Sequence, residues 1–225
     1  MNGFLRTTIM MLVAAMVGGA GALLYYWVNT DPLDGAATTT IVFVPPASGA
    51  PSDRVGAGTR EVFAKPGTVQ LLIPKGGGIS ISEHPALLWS LAAPHKGAMR
   101  AELKPANGGP LLAKIELDGE IAPGLYTLDL ASENVRLEAG QVYELSVVLT
   151  GETASEIVEQ SRGLVERVTG EPAKTAAEAA SQGAWFDALG FLVESSSDGE
   201  IRIQDQGQFT QLLQSAGLKA ETSAQ

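Results

Sequence analysis

Residues 123–149 read PGLYTLDLASENVRLEAGQVYELSVVL. The stretch opens on Pro123-Gly124 and continues through a partly apolar run at 125–130. It turns again at Ala139-Gly140 and closes on an apolar run at 142–149. Short runs rich in β-branched and aromatic residues, bounded by turn formers and without a helical period, read as strands. The same punctuation extends outward. Residues 69–73 are apolar and end at Pro74-Lys75-Gly76-Gly77-Gly78. Residues 86–92 place Leu87, Trp89 and Leu91 on one face, and 99–103 alternate before a break from Pro105 through Pro110. Residues 111–117 form a further run, separated from 125–130 by Asp118-Gly119 and Pro123-Gly124. Residues 61–170 are therefore expected to form an antiparallel β-sandwich. One segment is ambiguous. In 157–168, Ile157, Ser161, Leu164 and Val168 fit a helical face, whereas Gly163 and the β-branched residues favour a strand; periodicity alone predicts a helix.

The two ends differ from this middle. Residues 9–28 are all apolar, Gly, Tyr or Trp, and in a helix they would span about 30 Å, the thickness of a bilayer core. Tyr25, Tyr26 and Trp27 close the run where an aromatic belt would sit. Arg6 precedes it and Asp31 and Asp34 follow, so residues 31–225 are expected outside the cytoplasm, with the membrane engaged through residues 9–28. A cleaved signal peptide is the competing reading, with Ala20-Gly21-Ala22 as the cleavage-like site. Residues 31–60, with Pro45-Pro46 and Pro51, read as a linker containing a short strand at 40–44. Beyond 171 the chain reads as a helical tail. Pro172 marks a helix start before the alanine-rich 173–180. Trp185, Ala188, Leu189 and Leu192 form one stripe and Phe209, Leu212, Leu213 and Ala216 a second, closed by Gly217. Ser195 to Gly199 reads as a loop.

Charge and composition exclude several classes of function. The chain has 15 Lys plus Arg against 25 Asp plus Glu, a net charge of −10. Arg6 is the single cation before Asp31, so the remainder has 14 cations against the same 25 acids, or −11. Such a surface is the opposite of a phosphate-binding footprint, and no nucleic-acid partner is expected. No cysteine is present, which removes disulfides, thiol nucleophiles, Cys-ligated metals and thiol-linked lipid anchors.

The search for chemistry returns little. His84, beside Glu83 and near Ser80 and Ser82, is the best acid–base candidate, but Pro85 and the following strand point to a turn position. His95 sits in Ala93-Pro94-His95-Lys96-Gly97, read as a turn, and two histidines eleven apart make a poor metal site. Residues 194–200 lack the calcium-loop pattern, and Glu152, Glu156, Glu159 and Glu166 read as a charged solvent face. Phosphate-loop, dinucleotide and nucleophile-elbow motifs are absent. No catalytic, cofactor or metal residue is assigned. Arg60, in Gly56-Ala57-Gly58-Thr59-Arg60, is expected to pack its stem on the sheet or meet a partner. Trp185 is expected as a core anchor, with Asp187 pairing an Arg or capping the preceding loop.

Several segments, in order, carry a resemblance: Gly56-Ala57-Gly58-Thr59-Arg60, Ser82-Glu83-His84-Pro85 with Trp89 following, Pro123-Gly124-Leu125-Tyr126, Leu137-Glu138-Ala139-Gly140-Gln141-Val142-Tyr143, 163–168, Gly183-Ala184-Trp185-Phe186-Asp187-Ala188-Leu189, and 212–218. Over roughly 55–218 the chain resembles the uncharacterised bacterial family called domain of unknown function 928, widespread in cyanobacteria. That resemblance implies an exported sandwich with a short helical tail, and a strand at 157–168. It transfers no catalytic residue. Family members often carry a Cys after the strand equivalent to 142–149, and this chain has none.

The strands around Pro85–Trp89, Gly124-Leu125-Tyr126 and Leu137–Tyr143 also look like those of immunoglobulin-like and fibronectin-like modules. Trp89 would fill the space between sheets, while Tyr126 and Tyr143 would bury rings and keep a hydroxyl wet. The expected protein is mainly β with a C-terminal α part: a transmembrane helix, an immunoglobulin-like sandwich and a helical tail. It is expected in a bacterial inner membrane, single-pass, with the rest periplasmic or extracellular. The expected function is a non-catalytic module binding an envelope protein partner. A glycan or small-ligand module, an accessory of a sensing system and a hydrolase built on His84 with Glu83 are the alternatives.

Overall fold

The turn-bounded runs do become strands. In the computed structural model of the protein, the described residues are 40–47, 49–51, 68–151, 153, 156–195 and 201–219. The expected anchor at 9–28 and Arg60 lie outside them; among the described residues no helix is long and apolar enough to cross a membrane. A three-stranded sheet orders β1 (Val69–Leu71), β3 (Leu87–Leu91) and β6 (Gly124–Leu128) as β1-β3-β6. A five-stranded sheet holds β2 (Gly78–Ser80), β4 (His95–Pro105), β5 (Ala113–Ile121), β7 (Val142–Thr150) and β8 (Ile157–Arg167), in the order β2-β8-β7-β4-β5.

Not every pair is antiparallel. β2 runs parallel to β8, with Gly78 opposite Val165 and Ser80 opposite Arg167. The turn at 74–77, closed by Gly77 N–H donating to the Pro74 carbonyl, moves the chain between sheets, so β1 pairs with β3 and β2 with β8. Residues 157–167 form a strand: the main chain of β8 is used along its length by β7. Those ladder bonds outweigh the helical spacing of its apolar residues. Asp118-Gly119 lies inside β5 rather than in a turn, and His95 opens β4 opposite Ile121.

The core lies between the sheets. Leu87, Trp89 and Leu91 meet Met99, Ala101, Leu103, Leu145, Val147 and Val165, all buried. Trp89 stacks on Tyr126 with ring centroids 6.1 Å apart, and its indole N–H reaches the Met99 sulfur at 3.4 Å. The opposite face of the five-stranded sheet is a polar ladder, with Arg100 on Glu102 at 2.9 Å and Lys104 on Glu144 at 3.2 Å. Glu166, expected on a solvent face, is only 5% exposed, because Ile79 and Val142 flank it in register.

The tail contains α1 (Ala176–Ser181), α2 (Trp185–Leu192), a hairpin of β9 (Val193–Ser195) and β10 (Ile201–Ile203), and α3 (Gln206–Ser215). The first helix begins after Thr175 rather than at Pro172. The Thr175 hydroxyl accepts from Glu178 N–H, and the Glu178 carboxylate reaches back to Lys174 N–H, a variant of the capping box. α3 is capped by Asp205, whose carboxylate accepts from Gln208 N–H at 2.9 Å. It ends with Gly217 at φ +74 and Leu218 N–H on the Leu213 carbonyl, the Schellman arrangement. The hairpin was not anticipated; Ser195, read as the start of a loop, ends β9.

Residues 40–44 alternate in burial as a strand would, with Ile41 and Phe43 inside and Val42 and Val44 out. They join no sheet. Phe43 N–H donates to the Ser215 hydroxyl at 2.9 Å and Val44 N–H to the Ala180 carbonyl at 3.0 Å. The Phe43 ring stands edge-on to Trp185 at 5.0 Å. Part of the expected linker is thus built into the fold, as extended chain laid across the tail.

Candidate functional site

The site forms where the tail meets the sandwich. Trp185 opens α2, is fully buried, and donates its indole N–H to the Leu72 carbonyl at 2.8 Å. Gly78 allows this approach: a Cβ there would stand 2.9 Å from the Phe186 ring and 3.1 Å from the Trp185 Cβ. Two residues later, Asp187 turns the other way. Its two oxygens accept from Ile81 N–H at 2.7 Å and Ser82 N–H at 3.0 Å. It pairs no Arg and caps the loop after β2 rather than the loop before its own helix. The two charge-assisted, part-buried bonds to backbone together stabilise this seam by roughly 2–3 kcal/mol. The carboxylate also lies in the first turn of α2, where the helix dipole favours negative charge.

The held loop carries His84. The Ser80 hydroxyl accepts from Ser82 N–H, and the Ser82 hydroxyl accepts from His84 N–H at 3.1 Å. Pro85 is buried beneath the turn. The Ser80 and Ser82 hydroxyls are thus engaged by the loop itself. Glu83 turns outward to Arg136 at 3.1 Å. A His84–Glu83 acid–base couple, the basis of the hydrolase alternative, has no support in this arrangement.

Between this loop, β3, β6 and α2 lies an open groove of about 420 Å³. Leu88, Leu128 and Phe186 supply apolar lining, Thr127, Ser82 and His84 polar edges, and Phe191 stands over it 40% exposed. Asp129 lies on the rim, where one oxygen accepts from Ala131 and Ser132 N–H. Among the described residues no cluster of three or more His, Asp or Glu is placed to hold a metal ion. The groove can bury an apolar group beside an imidazole and a carboxylate.

The structure brings His84, Pro85 and Asp187 to this groove and sets Trp185 behind it. It leaves Trp89 and Tyr126 within the sandwich. Tyr143, the second residue of β7, is buried, and its hydroxyl accepts from Glu138 N–H at 2.8 Å across the turn where Gly140 takes φ +79. Tyr126 donates its hydroxyl to the Ala122 carbonyl, and burial pushes its phenol pKa up. Both hydroxyls bond backbone, that of Tyr126 at the exposed surface and that of Tyr143 on a buried residue. His95 Nε2 lies 2.8 Å from the Thr150 carbonyl, away from the groove residues.

Sequence reasoning missed Leu88, Phe186 and Phe191. A signal was present. In Trp-Phe-Asp-Ala-Leu-Gly-Phe-Leu the apolar residues exceed one stripe, which marks a helix contacted on more than one side.

The sequence model of the family described as "Domain of Unknown Function (DUF928)" matches residues 55–225. The chain belongs to that family. No curated protein matches it.

Proposed function

We propose that this DUF928 protein is a non-catalytic, membrane-anchored extracytoplasmic module that binds another protein of the cell envelope, through the groove between sandwich and tail. The observation that carries the reading is Phe191: a large apolar ring left 40% exposed above a groove whose walls are fixed by buried contacts. Exposed aromatics beside preformed apolar clefts are the anchors of protein recognition. The anchoring and export rest on residues 9–28 of the sequence.

We also read the sandwich as immunoglobulin-like. The orders β1-β3-β6 and β2-β8-β7-β4-β5 support that topology, as does Tyr143, bonded back to Glu138 at the start of β7.

The test compares wild type with Phe191→Asp in cross-linked, solubilised membranes. A stoichiometric protein captured by wild type and lost from the variant is expected. Equal capture by both would remove the groove from the interaction. A small ligand is the second reading, favoured by a groove volume within the range of small-molecule sites. It would show as a small molecule, rather than a protein, that leaves with the Phe191 substitution.

A further inference from the structure

The five-stranded sheet ends on β5, and among the described residues no strand pairs with the outer edge of that strand. Nine residues at strand spacing give an edge of about 30 Å, on which alternate N–H and C=O groups point away from β4. An open edge of this length is a template for an added strand unless its side chains select against one.

The side chains of β5 do select. On its solvent face Lys114, Glu116, Asp118 and Glu120 are all exposed. On the paired side residues of opposite charge stand in register on β4, Glu102 opposite Lys114, Arg100 opposite Glu116 and Lys96 opposite Glu120, while the closest ion pairs run along the strands, Arg100 with Glu102 and Lys114 with Glu116. Directly opposed residues are the unit of strand recognition, so opposite charges there favour pairing and like charges disfavour it. A second β5 gains little by this test. Antiparallel self-pairing about Leu117 would set Lys114 against Glu120 twice but also Glu116 against Asp118 twice, whereas a basic strand meets only opposite charge at Glu116, Asp118 and Glu120. On the other face Ile115 and Leu117 point toward the core yet are only half-buried, because the facing sheet has just three strands.

We propose that the outer edge of β5 receives an extended segment of a partner protein that alternates basic with apolar residues. Its Lys or Arg side chains lie opposite Glu116, Asp118 and Glu120, repeating outside what β4 supplies inside. Its apolar side chains cover Ile115 and Leu117. The inference rests on the protein being a binding module but uses a different surface from the groove. The Phe191 substitution leaves this edge intact, so either surface can fail without the other.

The test is amide hydrogen exchange on the full chain in detergent micelles. The probes are a nine-residue peptide alternating lysine with valine and its counterpart with glutamate in place of lysine. The lysine peptide is expected to slow the outward amides of β5 by roughly fivefold or more, with the effect reduced at high salt. The glutamate peptide is expected to leave them unchanged. Glu116→Lys combined with Glu120→Lys is expected to reverse the preference. Three results would overturn the proposal: β5 exchange unmoved by the lysine peptide, equal protection by both peptides, or protection that rises with protein concentration alone. The last would assign the edge to a second copy.

Discussion

β3 and β4 are consecutive strands that face each other across the core, yet they live in different surroundings. β3 is buried at every one of its five positions, whereas β4 alternates buried with half-exposed residues. The inward faces are alike: Trp89 on one side, Met99 and Ala101 on the other. The outward faces differ. Beyond β4 lie ion-paired Arg100, Glu102 and Lys104, in contact with water. Beyond β3, Leu88 faces the groove that Phe186 and Phe191 also line. The tail thus covers what lies beyond β3 and shares its core with the sandwich, a layer rather than an appendage.

The severest way to break this contrast is Trp185→Ala. If the tail is a layer, the loss is about 3–5 kcal/mol, the range for a buried aromatic removed from a core. Chemical denaturation would then show one cooperative transition at lower denaturant. A sandwich transition left unmoved, with separate melting of the helices, would make the tail an appendage. Asp187→Ala probes the same seam more gently. It leaves the N–H groups of Ile81 and Ser82 without their acceptor and is expected to cost about 2–3 kcal/mol. On the wet side, Lys114→Ala is expected to cost far less than either, since it and its ion partner Glu116 are both exposed. Near-equal losses in the two variants would erase the distinction.

Titration gives the smallest expected effect. Burial raises the Tyr126 phenol pKa, so the folded state holds that proton more tightly than the unfolded chain does. Its contribution is present below the ordinary tyrosine value near 10 and is lost as pH rises through the folded value. Glu116 on the wet edge has the opposite sign: its hydrogen bond and charge contact with Lys114 lower the carboxyl pKa. Its contribution is present above the ordinary carboxylate value and is lost as pH falls through the folded one. Ultraviolet titration of phenolate should contain a high step that Tyr126→Phe removes. A midpoint unchanged by Tyr126→Phe would contradict the assignment.

What the sequence made legible follows the same division. The strands of the sandwich are local statements, since turn formers bound most of them and Trp89 and Tyr143 mark their interiors. Two features escaped because they are decided by partners distant in sequence, and one segment was ambiguous on its residues alone. That segment, β8, has helical spacing and becomes a strand by pairing with its neighbour β7, as the family resemblance implied. The parallel β2–β8 contact joins residues 78–80 to 165–167 and leaves no pattern in either segment. The groove depends on α2 reaching a loop about a hundred residues earlier, through an Asp187 whose role was expected to be local. His84, the acid–base candidate, stands among Ser80 and Ser82, but the hydrogen bonds of those neighbours hold a turn.

Phe43 and Val44 give the molecule a mechanical property. One is tied to the end of α3 through Ser215 and the other to the end of α1 through Ala180, so the extended chain works as a crossbar between two helices that are not consecutive in sequence. Tension applied ahead of Thr40 is therefore delivered to the helical layer, at two points and beside the Trp185 ring, before it reaches any strand of the sandwich.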